Sequence, residues 1–349
     1  MKVALQASPW NRVDLFEAAG FDVVQGPCKT EDDLIDLLTD ADGAEVGVMP
    51  LTSRRVLEAC PKLKVVSRMG VGVDSIDLDA ATELGILACN VPGVNTAEVA
   101  DHAMAMLLSF TRRIHDAVPT TRDGSWSSDR ELTVSYLESV RRIAGHTVGI
   151  LGFGDIGKAF AQRIRGFGPA RIIACDPYVR PSTAEVFGVE LMSLEEMLPL
   201  TDYLSVHCNA TAETRHLINA DTLSLMKPTA IIVNTARGPI IDGAALADAL
   251  AAGTIEAAGL DVTEIEPIEA NDRLLTLPNC IVTPHLAGFS PTFLDDCPRM
   301  QAENVVNVLT GTAPHGLANP EVIKSIAVMR ANHPGRWDGV ADFSTALRL

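Results

Sequence analysis

Aromatic residues are scarce in this 349-residue chain, at 5% of the total. Ala, Leu, Val and Gly fill the apolar positions instead, as suits short strands alternating with helices. Positive charge is also short. Lys and Arg number 28 against 45 Asp and Glu, a formal net charge of −17, and no Lys/Arg run offsets it. Such a surface repels nucleic acid and anionic membranes, so neither is an expected partner. The acidity says little about a small substrate, because a few local cations suffice to hold an anion. No CxxC occurs among the seven cysteines (Cys28, Cys60, Cys89, Cys175, Cys208, Cys280 and Cys297), and their number is odd. Most stand in apolar runs such as "ILACNV", which reads as buried thiols of a reducing compartment and not as a disulfide framework. No apolar run is long enough to span a membrane. The first residues, "MKVALQASPW", lack the apolar core of a signal peptide. The expected location is cytoplasmic. Neither Cys/His spacing nor a carboxylate cluster suggests a metal.

What is present is an alternation. At ~150 residues per domain the length predicts two domains. "MKVALQ", "FDVVQG", "AEVGVMP", "LKVVSRMG" and "GILACNVPG" read as strands, with "DDLIDLL", "SRRVLEAC" and "LDAATELG" as helices between them. A long helix starts at "NTAEVADHAMAML", capped by Asn95 or Thr96 with Glu98 near its third position. Residues 123–142 are more polar and read as an arm or connector. A second alternating unit follows, with strands "TVGILG", "RIIACD", "YLSVHC", "AIIVNTA", "AAGLDV" and "CIVTPH", and a last helix is expected at "PRMQAENVVNVLTG". The fold class is α/β with parallel sheets.

Five strand ends carry chemistry. "VGILGFGDIG" places Gly152, Gly154 and Gly157 directly after an apolar strand and at the start of a helix, with Asp155 and Ile156 on the turn. That is the context in which a GxGxxG pattern cradles a pyrophosphate against a helix N-terminus. Asp176 ends the next strand at the ~20-residue spacing of the dinucleotide fingerprint. A carboxylate there accepts the adenosine ribose hydroxyls and repels a 2′-phosphate; Pro177 follows, so NAD is expected over NADP. "IIVNTARGPIID" ends a strand in Arg237, able to form a bidentate pair with a carboxylate. "GLDVTEIEP" and "CIVTPHLAG" bring Glu266 and His285 to two further strand ends, which suggests a carboxylate that orients an imidazole and favours its protonated form. His102 reads as a helix residue, His207 as a strand-end wall residue, and His216 has no partner pattern. Arg54 and Arg55 read as a solvated helix face in preference to cations for a phosphate or sulfonate tail.

Together, "SRMGVGVDSIDLDAA", "VGILGFGDIG", "MKPTAIIVNTARGPIID", "GLDVTEIEP" and "TPHLAG" resemble the D-isomer-specific 2-hydroxyacid dehydrogenase family, in the right order and over nearly the whole chain. The resemblance implies two Rossmann-like domains, the cofactor domain (97–289) inserted into a substrate domain (1–96 and 290–349). It implies a catalytic Arg237, Glu266 and His285. It implies that residues 68–72 take the substrate carboxylate, through Arg68, Gly70, Val71 and Gly72 together with Arg237 and His285, with Val71 near the nicotinamide. The remaining cofactor contacts it implies are Gly152, Gly154, Asp155, Ile156, Gly157, Asp176, Cys208, Thr235, Ala236, Arg237, Asp261, His285 and Gly288. It also implies a homodimer formed through the arm. The chain departs from the family at "HCNAT", where His-x-Pro-Leu-Thr is common, and in "FSPTFLDDCPRM" after His285. A dinucleotide-sensing protein of the corepressor type, which shares the fold, is the alternative from another functional class. A formate dehydrogenase ranks below it, because that relative pairs its His with Gln.

Overall fold

The protein is described from a computed structural model that covers residues 1–332, 334–337 and 340. It divides into two compact units, Met1–Asn95 with Phe289–Leu349, and Thr96–Gly288.

The first unit holds five parallel strands: β1 (Lys2–Gln6), β2 (Asp22–Gly26), β3 (Gly43–Val46), β4 (Val65–Arg68) and β5 (Leu87–Cys89), in the order β2-β1-β3-β4-β5. Central strands covered on both faces must be apolar on both, which is why they read as runs. Ala44 and Val66 pack with Leu34, Leu38 and Leu57 on one face. Leu5 and Val65 pack with Ala302, Val305 and Val308 of the helix Pro291–Thr310 on the other. That helix begins seven residues earlier than the sequence suggests. Ser290 caps it by accepting from the Phe293 N–H at 3.0 Å, Pro291 occupies the first turn where no N–H is needed, and Pro298 is carried inside. β3 is shorter than "AEVGVMP" predicts. Beyond Val46 the Gly47 N–H turns to the Gln6 side chain, and Pro50 has no N–H to extend a ladder.

The second unit holds β6 (Thr147–Leu151), β7 (Arg171–Cys175), β8 (Glu190–Leu191), β9 (Tyr203–Val206), β10 (Ile231–Asn234), β11 (Ala257–Leu260) and β12 (Cys280–Val282). All pair in parallel, in the order β12-β11-β10-β9-β6-β7-β8. The order reverses between β6 and β9, the switch point at which doubly wound sheets bind nucleotides. The helices Thr96–Thr111 and Asp155–Arg165 contribute Ala103, Leu107, Phe160 and Ile164 to the core on one face. The arm is helical, in Ile114–Arg122, Ser125–Ser128 and Arg130–Ser139, and none of these helices has a buried residue. Among the described residues no helix is long and apolar enough to cross a membrane. None of their His, Cys, Asp and Glu side chains forms a group of three or more that could hold a metal.

Candidate active site

The turn after β6 is shaped by what its glycines lack. Gly152 has φ of 90°, and a Cβ there would lie 2.4 Å from the Cys208 backbone N; at Gly157 a Cβ would lie 2.3 Å from Gly152 O. The close approach of β6, its helix and the segment after β9 therefore requires glycine at both. Gly154 differs. A Cβ there would meet nothing within 4 Å, so its missing side chain leaves open space where the helix Asp155–Arg165 begins, and no side chain caps that N-terminus. An anion fits such a place. Asp155 and Ile156 form the first turn. Asp176 follows β7 with both oxygens engaged: Oδ2 accepts from the Phe153 N–H at 2.8 Å and Oδ1 from the Tyr178 N–H at 2.9 Å. The carboxylate is thereby locked beside the glycine turn.

Across the switch point, His207 is a half-buried wall residue. Burial pushes its pKa down to about 3, so the ring is neutral, and its Nε2 lies 2.8 Å from Ser205 Oγ. Cys208 beside it is half-buried, its thiol pushed up to about 12 by burial. The Thr235 hydroxyl after β10 is buried with no hydrogen-bond partner among the described residues. Asn234, also buried, sets the next residues: its Oδ1 accepts from Ala236 N–H at 3.0 Å and its Nδ2 donates to Arg237 O at 2.9 Å. Gly238 then packs so close to the segment after β11 that a Cβ would lie 1.9 Å from Thr263 O. The backbones that carry Arg237 and Glu266 are thus in direct contact.

Glu266 accepts from the Thr263 N–H through Oε1 at 3.0 Å and meets His285 Nδ1 through Oε2 at 2.6 Å. Burial pushes the Glu266 pKa up, but the hydrogen bond and charge of His285, the Thr263 amide and the charge of Arg237 outweigh it and hold the carboxyl below its ordinary range. His285 has φ of 49°, in the left-handed region. The buried Asp261 holds the turn that follows it: Oδ1 accepts from Leu286 N–H at 3.0 Å and from Thr283 Oγ1 at 2.6 Å, and Oδ2 accepts from Ala287 N–H at 2.8 Å. Gly288 ends the segment. Sequence reasoning passed over two contributors. His102 reaches Thr283 Oγ1 at 3.2 Å, and His216, which shows no local partner pattern, meets Glu264 at 2.6 Å. Neither pairing has a short-range signature, since the partners lie 181 and 48 residues apart.

Arg68, Gly70, Val71 and Gly72 belong to the first unit. Arg68 ends β4 and is buried. Gly70 has φ of 102°, its carbonyl accepts from Val91 N–H at 2.9 Å, and the Val71 carbonyl accepts from Asn90 Nδ2 at 2.7 Å. The carbonyls are pinned, while the N–H groups of Val71 and Gly72 have no partner among the described residues. Arg54 and Arg55 are engaged with Glu83 and Asp32, in keeping with a solvated helix face.

Residues 104–287 match the NAD binding domain of the D-isomer specific 2-hydroxyacid dehydrogenases. The chain is 40% identical over 314 residues to D-3-phosphoglycerate dehydrogenase of Mycobacterium bovis, covering 88% of this chain and 57% of that protein. It therefore spans little more than half the length of that relative. It is 41% identical over 295 residues to glyoxylate reductase of Korarchaeum cryptofilum, covering 84% of each. Among solved structures, holo D-mandelate dehydrogenase of Rhodotorula graminis matches with a TM-score of 0.83 and 27% identity, over 91% of this chain and 97% of that one.

Proposed function

Because the chain belongs to the D-isomer-specific 2-hydroxyacid dehydrogenase family, we propose that it interconverts a 2-hydroxy acid and its 2-keto acid with NAD(H). The observation that carries this reading is the His285–Glu266 pair at 2.6 Å beside Arg237, at the carboxyl ends of the cofactor-type sheet. When bound, the nicotinamide supplies or accepts the hydride at C2. The dinucleotide would be held by the turn from Gly152 to Gly157, by Asp176 on the ribose, and by Cys208, Thr235, Ala236, Asp261 and Gly288. His285, its Nδ1 on Glu266, gives the proton to the C2 oxygen in reduction and removes it in oxidation. Glu266 keeps the ring oriented. Arg237 binds the substrate carboxylate and polarises the C2 oxygen. The first unit's own candidate donors for a carboxylate are the amides of Val71 and Gly72.

The clamped Asp176 supports NAD over NADP, since a 2′-phosphate would be set against a fixed carboxylate. The arm supports a homodimer: Trp126 is 65% exposed and Leu137 73%, on helices with no core of their own. The scattered free thiols, each buried or half-buried, suit a cytoplasmic location. Nothing in the comparisons favours the corepressor alternative. The test is NADH oxidation by the full chain over a panel of 2-keto acids, repeated with NADPH. Turnover of none, with NADH still bound, would refute the dehydrogenase reading, and equal kcat/KM for both cofactors would refute the NAD preference.

A further inference from the structure

Open parallel sheets bind ligands outside the carboxyl ends of their strands where the strand order reverses. In the first unit that reversal lies between β1 and β3. Two connections leave there, residues 7–12 after β1 and 47–53 after β3. The Gln6 side chain ties them together. Its Oε1 accepts from Gly47 N–H at 2.8 Å, its Nε2 donates to Met49 O at 2.7 Å, and Asn11 Nδ2 returns to Gln6 O at 3.0 Å. On these fixed backbones stand four large apolar side chains in solvent: Trp10 at 42% exposure, Val48 at 48%, Met49 at 65% and Leu51 at 46%. Their exposure is not loop slack, because the Gln6 side chain holds residues 47–49 to the end of β1 and the Asn11 side chain holds the 7–12 connection to the Gln6 carbonyl. β4, whose outgoing loop is read above as the carboxylate loop, is the next strand over.

The same edge is poor in available cations. Residues 7–11 and 47–53 contain no Lys or Arg. The flanking guanidiniums are engaged: Arg12 makes two bonds to Asp14 at 2.9 and 2.8 Å, Arg54 meets Glu83 at 2.7 Å, and Arg55 meets Asp32. Such surface pairs are individually weak. An anionic tail that broke them would still be left beside the carboxylates it displaced.

We infer, resting on the dehydrogenase reading, that the substrate is a 2-keto or 2-hydroxy acid with an uncharged, apolar side chain, aliphatic or aryl, which Trp10, Val48, Met49 and Leu51 cover. A carboxylate seated on the loop after β4 directs such a side chain toward the loops after β3 and β1. In an apolar pocket one methylene group discriminates by ~10-fold or more. Phosphorylated and sulfonated acids gain nothing from it.

The experiment is steady-state NADH oxidation by the full chain with glyoxylate, ketoisocaproate, phenylpyruvate and phosphohydroxypyruvate. The expected result is a kcat/KM for ketoisocaproate or phenylpyruvate at least ~10-fold above glyoxylate, with phosphohydroxypyruvate lowest. Met49→Arg, and Leu51→Arg should the first variant fail to fold, should raise the ratio of phosphohydroxypyruvate to phenylpyruvate by ~10-fold or more, as an added cation on an apolar rim does for an anion. Glyoxylate or phosphohydroxypyruvate as the best wild-type substrate would overturn the substrate assignment and leave the dehydrogenase reading standing, as would a ratio that neither variant moves. Turnover of none of the four by a protein that quenches NADH fluorescence on binding would overturn both.

Discussion

The segment 263–267 carries two glutamates that each grip a histidine, and the two pairs are built for different ends. Glu266 Oε2 meets His285 Nδ1 and Glu264 Oε1 meets His216 Nε2, both at 2.6 Å, and both histidines have φ of 49°. Their surroundings diverge. His216 has Asp242 3.9 Å from its other nitrogen, so carboxylates flank the ring on both sides. The second oxygen of Glu264 accepts from Gly243 N–H at 3.0 Å, which fastens the segment to the helix Gly243–Ala252. His285 has a single carboxylate, and its Nε2 bonds to no other described residue. One pair is closed and acts as a fastener. The other leaves a nitrogen open, as proton transfer requires.

Removing each ring tests that distinction most severely. His285→Ala should lower kcat by ~10²–10⁴-fold, the usual contribution of a general acid–base, whereas His216→Ala should lower it by less than ~10-fold. Steady-state kinetics at fixed pH, with NADH binding as a control for folding, decides. Equal losses in the two variants would show that His216 is part of the proton path.

A third glutamate sharpens the comparison by having no hydrogen-bond partner among the described residues. Glu45, on β3 and 2% exposed, has both oxygens without a hydrogen bond, and burial pushes its pKa up to about 8. With the folded value raised, the contribution of the protonated form is full below the ordinary value of 4.5 and is lost as pH rises through about 8. Glu45→Gln removes that ionisation. Its stability relative to wild type should therefore climb between these limits, by ~1.4 kcal/mol per pH unit, as read from urea unfolding across the interval. A difference that does not change with pH would show that the carboxyl finds a partner.

The Glu266 pair carries its own pH signature. A lowered folded pKa means that the paired form contributes above the ordinary glutamate value and is lost as pH falls through the lower, folded one. The Glu266-dependent acid limb of kcat/KM should thus lie below the ordinary glutamate value of 4.5. Glu266→Gln should abolish that limb and cost ~10-fold or more at neutral pH, while Glu264→Gln keeps it. An identical limb in wild type and Glu266→Gln would separate Glu266 from the proton donor.

Much of this was legible in the sequence, for physical reasons that also set the limit. The glycine turn and Asp176 could be read because strand, turn and acid are local and in register. Arg237, Glu266 and His285 lie in the segments that follow three apolar runs, and these runs are the strands β10, β11 and β12. The end of β3 could not, since Val48 and Met49 prolong the run "AEVGVMP" although both are exposed. The start of the helix Pro291–Thr310 was masked by Pro298, which looks like a helix opening but lies inside one. The Glu264–His216 fastener and the His102–Thr283–Asp261 chain are joined only by the fold, and no periodicity announces them.

The smallest expected effect lies behind His285. Asp261 offers three bonds to the turn at residues 283–287: from Thr283 Oγ1, Leu286 N–H and Ala287 N–H, at 2.6, 3.0 and 2.8 Å. Its own carbonyl accepts from His285 N–H at 2.9 Å. His102 Nε2 stands 3.2 Å from the Thr283 hydroxyl and 3.6 Å from Asp261 Oδ1. Thr283→Val keeps the shape and removes the hydroxyl, so it breaks the link from His102 while leaving the carboxylate both amides. A hydrogen bond to a charged group contributes ~1.5–3 kcal/mol, and part of that is regained when the freed Asp261 oxygen tightens on Leu286 N–H. The Leu286 and Ala287 amides should then exchange with deuterium faster by up to ~10-fold, and kcat should fall by only a few-fold, because opening of the turn is local and His285 keeps Glu266. Glu264→Gln, by contrast, should speed exchange at Gly243 and leave Leu286 and Ala287 as they were. If exchange at both amides is unchanged in Thr283→Val, Asp261 alone holds the turn, and the chain from His102 contributes nothing to the placement of His285.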